Sequence, residues 1–560
     1  VDEFIAYCRA VGAEPLMNVS DYIGTPQDAA DLVEYLNAPA DARHPWAQKR
    51  ALWGHPQPYH VRYFEMGNES DHGNHKDKRY TATQYAAWYL ACEKLMHAID
   101  PSIKLGALMG TGTPVDDPWN ENVLNRVKGA VDFIIVHTYA VGYGGNDNSI
   151  PSDQLMQACM AASDQLEVKL HNYNQLILQC TGKRLPLAVT EYNASFVQEK
   201  PIPYRFAFGP ALFSADYLRV LIKPENNVLM ANYWHFINGY WGMVKGPRYP
   251  ATEPNVWTRM PAYYLYRLWA QHFGSQLLAV DVQSPRVELA KDICGVRAAT
   301  GDKYTPSQGI GTSKNLLDGV AFITPSTKGV QTELLPDGTL RATMDHLTSE
   351  TYLPLGRVAA PVTGCGYILS FEARSTGALN GRLGLGIDDN RGWDATHSGT
   401  NAEGVEAARE WTKYSVHFAA LTDNTGAALA WRFRPTKEGF TGTEEIRNVK
   451  VTTFMPARFP AYSALTASAS RSSNGKTVYL IVFNRHHADD ISADVNVKGI
   501  KNITGVRRWT VSGPSLAALN FTEEQVRETE SGVTVPISPD GRIKNTFPAR
   551  SMTAFEISCK

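Results

Sequence analysis

Along the first 280 residues, short apolar runs alternate with longer stretches whose apolar positions recur every three to four residues. The short runs are Glu14–Val19, Val61–Glu69, Ile103–Met109, Val131–Tyr139, Leu185–Glu191 and Val228–His235. Each is mostly apolar throughout, the pattern of a parallel strand covered on both faces. Between them, helical spacing predicts Pro26–Leu36, with Thr25 as N-cap and Pro26 at the first helical position. It also predicts Thr83–Ala98, Asp153–Gln179, Pro210–Ile222 and Pro261–Phe273. Phe4, Ile5, Cys8 and Val11 keep the same spacing, so the chain opens inside an amphipathic helix. That helix is either a short first element or the continuation of a preceding segment.

Strand–helix alternation at about 30–50 residues per unit predicts an α/β fold around a parallel sheet. Polar residues collect at the C-terminal ends of the runs: Asn18, Asn68, Glu69, His137, Tyr139, Glu191, Trp234 and His235. No run is followed by a glycine-rich phosphate-binding turn. A (β/α)8 TIM-type barrel is therefore expected rather than a Rossmann sheet, although six βα units are visible where closure takes eight.

Past residue 280 the helical period fades, and alternating β-type runs separated by Gly, Asn, Asp and Ser replace it. Residues 311–456 form a self-contained β module with runs at Tyr367–Arg374, Tyr414–Ala419, Ala430–Phe433 and Ile446–Phe454. A last β stretch follows to Cys559, and antiparallel sandwiches fit both. The organisation is thus α/β plus all-β, with 1–280 as the catalytic barrel.

Composition narrows the function. The chain has 560 residues, 43% hydrophobic and 20% charged, with 54 Lys and Arg against 56 Asp and Glu. A charge so balanced, without like-charge blocks, gives no case for nucleic acid or an anionic membrane. No apolar run approaches the roughly 18 residues that span a bilayer. The seven cysteines are odd in number and none has CxxC spacing, which argues against a disulfide framework and a zinc ribbon. Twelve Trp and 26 Tyr suit sugar-stacking surfaces.

Two carboxylates carry the chemistry. Glu69 and Glu191 each end a buried run, about three βα units apart, so both project from one end of a barrel. Paired carboxylates there suit glycoside hydrolysis: one protonates the leaving oxygen, the other attacks the anomeric carbon or activates water. Asn68 is placed to donate to a sugar hydroxyl, and His137 and Tyr139 to orient a carboxylate. Glu65 shares strand parity with Glu69 but lies deeper, as an interior hydrogen-bonded residue. Trp46, Trp53, Trp119, Trp234 and Trp241 fit either sugar stacking or core packing, with Trp234 best placed, and His235 fits a ligand contact. The run SDHGNH, with Asp71, His72 and His75, matches no zinc spacing, so no metal is expected. No G-x-S-x-G supports a serine triad.

The ordered stretches VGAEPLMNVSDYIGTPQDAADLVEYLN, GHPQPYHVRYFEMGNES, VDFIIVHTYA, LPLAVTEYN and RMPAYYLYRLWAQHFGSQLLAVDV resemble glycoside hydrolase family 51 over about residues 1–282. The likeness resumes at AYSALTASASRSSNGKTVYLIVFNR, 461–485, which implies that the β module is inserted into a C-terminal β-sandwich made of 281–310 and 457–560. The resemblance implies a retaining (β/α)8 barrel with Glu69 as acid/base in G-N-E, Asn68 beside it, Glu191 as nucleophile in T-E-Y-N, and His137 and Tyr139 as the H-x-Y pair. GAEPLMNV matches the family's third strand, so strands 1 and 2 and the sugar-binding residues they bring are not matched in this chain. SKNLLDG, YILSFEARS, WTKYSVHF and IRNVKV resemble carbohydrate-binding jelly rolls, with Trp393, Trp411 and Trp431 as candidate platforms.

These features imply release of α-L-arabinofuranosyl groups from plant cell-wall polysaccharide or arabino-oligosaccharide, without a cofactor. The alternatives are an endo-β-1,4-glucanase or xyloglucanase on the same scaffold, or a carbohydrate-binding fragment without catalysis. A binding module points to a secreted or periplasmic setting, and the family resemblance leaves a homo-oligomer open.

Overall fold

The computed structural model describes residues 1–71, 80–110, 115, 118–143, 152–196, 202–238, 241–246, 256–288, 314–358, 366–388, 409–418, 428–454, 461–500, 503–538 and 541–560. His72, His75, Trp393, Cys294 and Cys365 lie outside them.

The first unit alternates α1 (Asp2–Val11), β1 (Leu16–Val19), α2 (Pro26–Asn37), α3 (Pro45–Leu52), β2 (Tyr63–Met66), α4 (Ala82–Ile99), β3 (Lys104–Leu108), α5 (Pro118–Val127), β4 (Phe133–Tyr143), α6 (Ser152–Thr181), β5 (Leu187–Phe196), α7 (Phe208–Leu221) and β6 (Val228–Tyr233). The six strands form one parallel sheet in chain order. This is the greater part of a TIM-type barrel; among the described residues β1 and β6 are its two edges. Local chemistry sets the helix starts. Thr25 and Asp28 close a capping box ahead of Pro26, and Thr81 and Gln84 do the same for α4. The sheet and its helices share one apolar core that includes Phe64, Leu105, Ile135, Val189, Leu212 and Leu268.

A short hairpin, β7 (Val244–Lys245) and β8 (Thr258–Arg259), follows β6, and α8 (Pro261–Gln271) leads to β9 (Gln276–Leu278). β9 stands ahead of the expected boundary at 281, yet already pairs with the C-terminal sandwich. After β10 (Arg286–Val287), the described part of the inserted module contains β11 (Val330–Leu334), β12 (Leu340–Leu347), β13 (Thr351–Arg357), β14 (Gly366–Asp388), β15 (Thr412–Phe418) and β16 (Ala428–Phe454), around a core of its own.

β14 and β16 pair along their whole lengths and bend where Gly377 and Gly442 face each other, both at positive φ. A Cβ at Gly442 would meet the Thr376 carbonyl at 2.0 Å, so only glycine lets the ribbon fold over. On either side of the bend, β15 pairs with the first half of β14 and β12 with the second half of β16, β11 pairs in turn with β12, and β13 pairs with the first half of β16.

The last unit comprises β17 (Tyr462–Ser463), β18 (Leu465–Arg471), β19 (Thr477–Asn484), β20 (Ile491–Val495), β21 (Ile503–Ser512), β22 (Arg527–Thr534), β23 (Ile543–Phe547) and β24 (Ser551–Cys559). Its main sheet runs β22-β21-β24-β19-β18-β9, beside the pairs β20–β23 and β10–β17. It locks onto the barrel through a buried cluster in which Arg485 reaches Asp216 and Asp164, and Asp216 also meets Arg219 and Thr466. The described cysteines are all free thiols. No helix among the described residues is long and apolar enough to cross a membrane.

Candidate active site

The site is built at the C-terminal ends of β2, β4 and β5. β4 and β5 set His137 opposite Glu191 across the sheet and Tyr139 opposite Asn193. Glu69 leaves β2 through a turn instead of continuing it. Gly67 sits at φ 84, and Glu69 itself at φ 50, a left-handed conformation that costs a non-glycine residue roughly 1–2 kcal/mol. Several bonds hold that turn. Asn18 Nδ2 donates to the Gly67 carbonyl at 2.9 Å, and the Gly67 N–H donates to Val19. Ser70 Oγ donates to Asp21 Oδ2 at 2.5 Å, and Tyr80 donates to Asp21 and Ser70 through its hydroxyl and its N–H.

The result is a compact charged cluster. His137 Nδ1 lies 3.0 Å from Glu69 Oε1 and 3.7 Å from Glu191 Oε2. Its Nε2 is 3.9 Å from Glu65 Oε1, an ion-pair distance rather than a hydrogen bond. The Tyr139 hydroxyl donates to Glu191 Oε2 at 2.5 Å. Glu65 accepts from Thr190 Oγ1 at 2.9 Å, and is the interior hydrogen-bonded residue its parity indicated.

Burial opposes protonation of His137, but Glu65, Glu69 and the charge of Glu191 outweigh it and push the imidazole up to about 10. Burial likewise pushes the Glu191 carboxyl up. The imidazolium and the Tyr139 hydroxyl pull it back, while Glu69 and Glu65 push it up again. Burial and the Glu191 charge hold the Tyr139 phenol well above its ordinary range, so it stays a donor. A ligand atom from each of Glu69, His137 and Glu191 lies within 4.8 Å of the others, a spacing that could enclose a cation. The imidazolium already supplies positive charge at that point.

The remaining candidates divide. Asn68 lies half-buried in the turn beside Glu69, and Asn18, exposed at the end of β1, donates from its amide to the Gly67 carbonyl and positions the turn. Trp234 and His235 fall just past β6 rather than on it, with Trp234 exposed and its carbonyl accepting from Asn193 Nδ2. Burial lowers His235. The Trp241 ring packs on Tyr139 at 5.5 Å, which brings it to the site. Trp119 is core, Trp46 packs under Lys49, and Trp53 packs on Tyr35 at the end of α3. In the inserted module Trp431 is a core residue, fully buried and donating to Glu444, so it offers no sugar platform. The guanidiniums of Arg374 and Arg447 both pack on the Trp411 ring.

Residues 1–142 match the α-L-arabinofuranosidase 1 domain, and residues 190–551, more than half of the chain, match the α-L-arabinofuranosidase C-terminal domain. The chain belongs to the α-L-arabinofuranosidases of glycoside hydrolase family 51. It is 26% identical over 314 residues to intracellular exo-α-(1→5)-L-arabinofuranosidase 1 of Bacillus subtilis, covering 52% of this chain and 58% of that protein. It is 32% identical over 247 residues to the probable α-L-arabinofuranosidase C of Aspergillus clavatus, covering 41% and 47%. The chain thus spans about half the length of these curated relatives. Two solved structures share the fold: the α-L-arabinofuranosidase of Thermotoga maritima in complex with arabinose, with TM-score 0.54 at 19% identity, and the family 51 α-L-arabinofuranosidase of Bifidobacterium longum, with TM-score 0.58 at 13%. In each case the match covers all of this chain and 78% of the other.

Proposed function

We propose that this chain carries the catalytic pair of a retaining α-L-arabinofuranosidase acting on arabinose-bearing plant polysaccharide. The observation that carries the reading is the spacing of the pair: an oxygen of Glu69 and an oxygen of Glu191 lie within 4.8 Å of each other, bridged by His137. Carboxyl groups about 5–5.5 Å apart suit direct attack, whereas an inverting pair stands about 6.5–9.5 Å apart to admit a water.

In the first step the Glu191 carboxylate bonds to the anomeric carbon as the glycosidic C–O bond breaks, and Glu69 gives its proton to the departing oxygen. In the second, Glu69 takes a proton from water, which attacks the anomeric carbon and releases Glu191. Tyr139 and the imidazolium stabilise the charge that returns to Glu191. Burial alone favours a protonated Glu191; the Tyr139 hydroxyl that donates to it and the imidazolium charge 3.7 Å away favour the carboxylate and, with its place in T-E-Y-N, support the nucleophile's role.

Glu191→Ala is expected to abolish turnover of an aryl α-L-arabinofuranoside. Glu69→Ala should retain measurable activity when the phenol is a good leaving group, and added azide should then yield the α-arabinofuranosyl azide. Full activity in both variants would overturn the assignment. The family models and the named relatives favour the arabinofuranosidase over the glucanase alternative, which shares the scaffold.

A further inference from the structure

The hairpin that follows β6 does more than connect. The N–H of Met243 donates to the His235 carbonyl, that of Val244 to Phe236, and that of Asn238 back to Val244. β7 is thereby tied to the chain that leaves the catalytic rim. On the far side, the buried Asn520 side chain donates to the Arg259 and Val526 carbonyls and accepts the Val526 N–H. Tyr264 donates to Glu524 Oε1 at 2.5 Å. Between these two pinned segments lies an open cleft of about 510 Å³, lined by Val244, Trp257, Arg259, Asn520, Glu523 and Glu524.

The cleft has the chemistry of a sugar site. Trp257 is 61% exposed, so most of its indole is open to a ligand. The far edge of its ring rests against Gly246, where a Cβ would come within 2.9 Å of Cη2 and Cζ3, so the glycine leaves room for the ring. One guanidinium and two carboxylates flank it. An exposed indole, with Phe521 also in the lining and donors and acceptors of both kinds around it, suits a hydroxylated ring, which offers an apolar face and a polar rim.

Its position fits too. Trp241, whose ring packs on Tyr139, precedes Val244 by three residues, so their Cα atoms stand at most about 11 Å apart. We propose that this cleft is a remote subsite that binds the main chain of a neutral polysaccharide while the sugar to be released sits at Glu191. Its place along the substrate rests on the glycosidase reading above; the binding itself does not.

The test is titration calorimetry of the full chain with a linear, uncharged xylo-oligosaccharide, for wild type and Trp257→Ala, beside hydrolysis of an aryl α-L-arabinofuranoside by both. The expected result is saturable binding, weakened roughly tenfold by the substitution, with equal aryl-glycoside kinetics and equal melting temperature. No binding by wild type, or equal binding by both, overturns the subsite. Loss of concentration-dependent self-association in Trp257→Ala without loss of sugar binding also overturns it, because the platform would then be an interface between copies. Trp257-dependent binding without aryl-glycoside hydrolysis would leave the subsite standing and refute the glycosidase reading. Hydrolysis with unchanged binding would do the reverse.

Discussion

Arg485 is the best place to test how the sandwich holds the catalytic barrel in shape. The residue is 1% exposed in its side chain, and its guanidinium serves both units. Nε and Nη2 donate to the Ser463 carbonyl, Nη1 donates to the Met160 carbonyl at 2.9 Å, and Nη2 reaches Asp164 at 2.9 Å. Nη1 also lies 3.3 Å from the fully buried Asp216. Arg485→Met keeps most of the volume, so the cavity contribution is small and the electrostatic loss dominates. Removing one partner of a buried ion pair costs about 3–5 kcal/mol. Asp216 keeps Arg219 at 3.0 Å and Thr466 at 2.6 Å, which points to the lower part of that range.

Burial raises the Asp216 carboxyl, but Arg219 and Arg485 outweigh it and hold the pKa far below the ordinary 3.8. A depressed carboxylate stabilises the fold above its unfolded pKa and loses that contribution as pH falls through the folded one. The deficit of Arg485→Met should therefore be full at pH 6 and shrink as pH drops below about 4. Denaturant midpoints of both proteins between pH 3 and 7 measure it, with Arg434→Ala, an exposed pair with Glu350, as a control costing at most about 1 kcal/mol. A cost for Arg485→Met no larger than the control's, or one that grows as pH falls, would refute the reasoning.

Three further outcomes follow from the same geometry. Gly67→Ala places a Cβ 2.6 Å from Ser70 Oγ at φ 84. It should shift the Glu69 turn and lower kcat on an aryl arabinofuranoside by about 10²-fold, with the melting temperature lowered by only a few degrees. His137, raised to about 10 from an ordinary 6.5, stabilises the fold fully below pH about 6.5 and loses that contribution as pH rises toward 10. Unfolding midpoints between pH 6 and 10 should fall faster in wild type than in His137→Gln, and parallel curves would contradict the cluster. Trp431→Ala empties the core of the inserted sandwich and should cost about 3–5 kcal/mol. Calorimetry should show this in that module's transition, with aryl-glycoside turnover unchanged.

Much of this was legible from the order of residues. Buried parallel strands announce themselves as apolar runs, and Glu69, His137, Tyr139 and Glu191 stood at strand ends because a barrel sheet collects its chemistry there. What stayed hidden depends on contacts between distant segments. Thr190 looks like an ordinary strand residue, yet it donates to Glu65. Asn18 sits at a strand end like Glu69 and Glu191, and its bond to the Gly67 carbonyl could not be read from that position. α3 and α5 escaped because PWAQKRAL and PWNENVLNRV carry too few apolar positions to show a period. Ala430–Phe433 and Ile446–Phe454 looked like separate strands because Gly439 and Gly442 resemble breakers; at positive φ they bend one continuous strand instead. The cleft at Trp257 joins residues more than 260 positions apart, which no local pattern reports.

The central claim is that Glu69 and Glu191 act as a retaining pair. The direct measurement is proton NMR of the sugar released from an aryl α-L-arabinofuranoside in the first moments of hydrolysis, before mutarotation. The account predicts the α-anomer first, with the β-anomer growing in later. The β-anomer appearing first would mean a single displacement by water, and would contradict the pair as described.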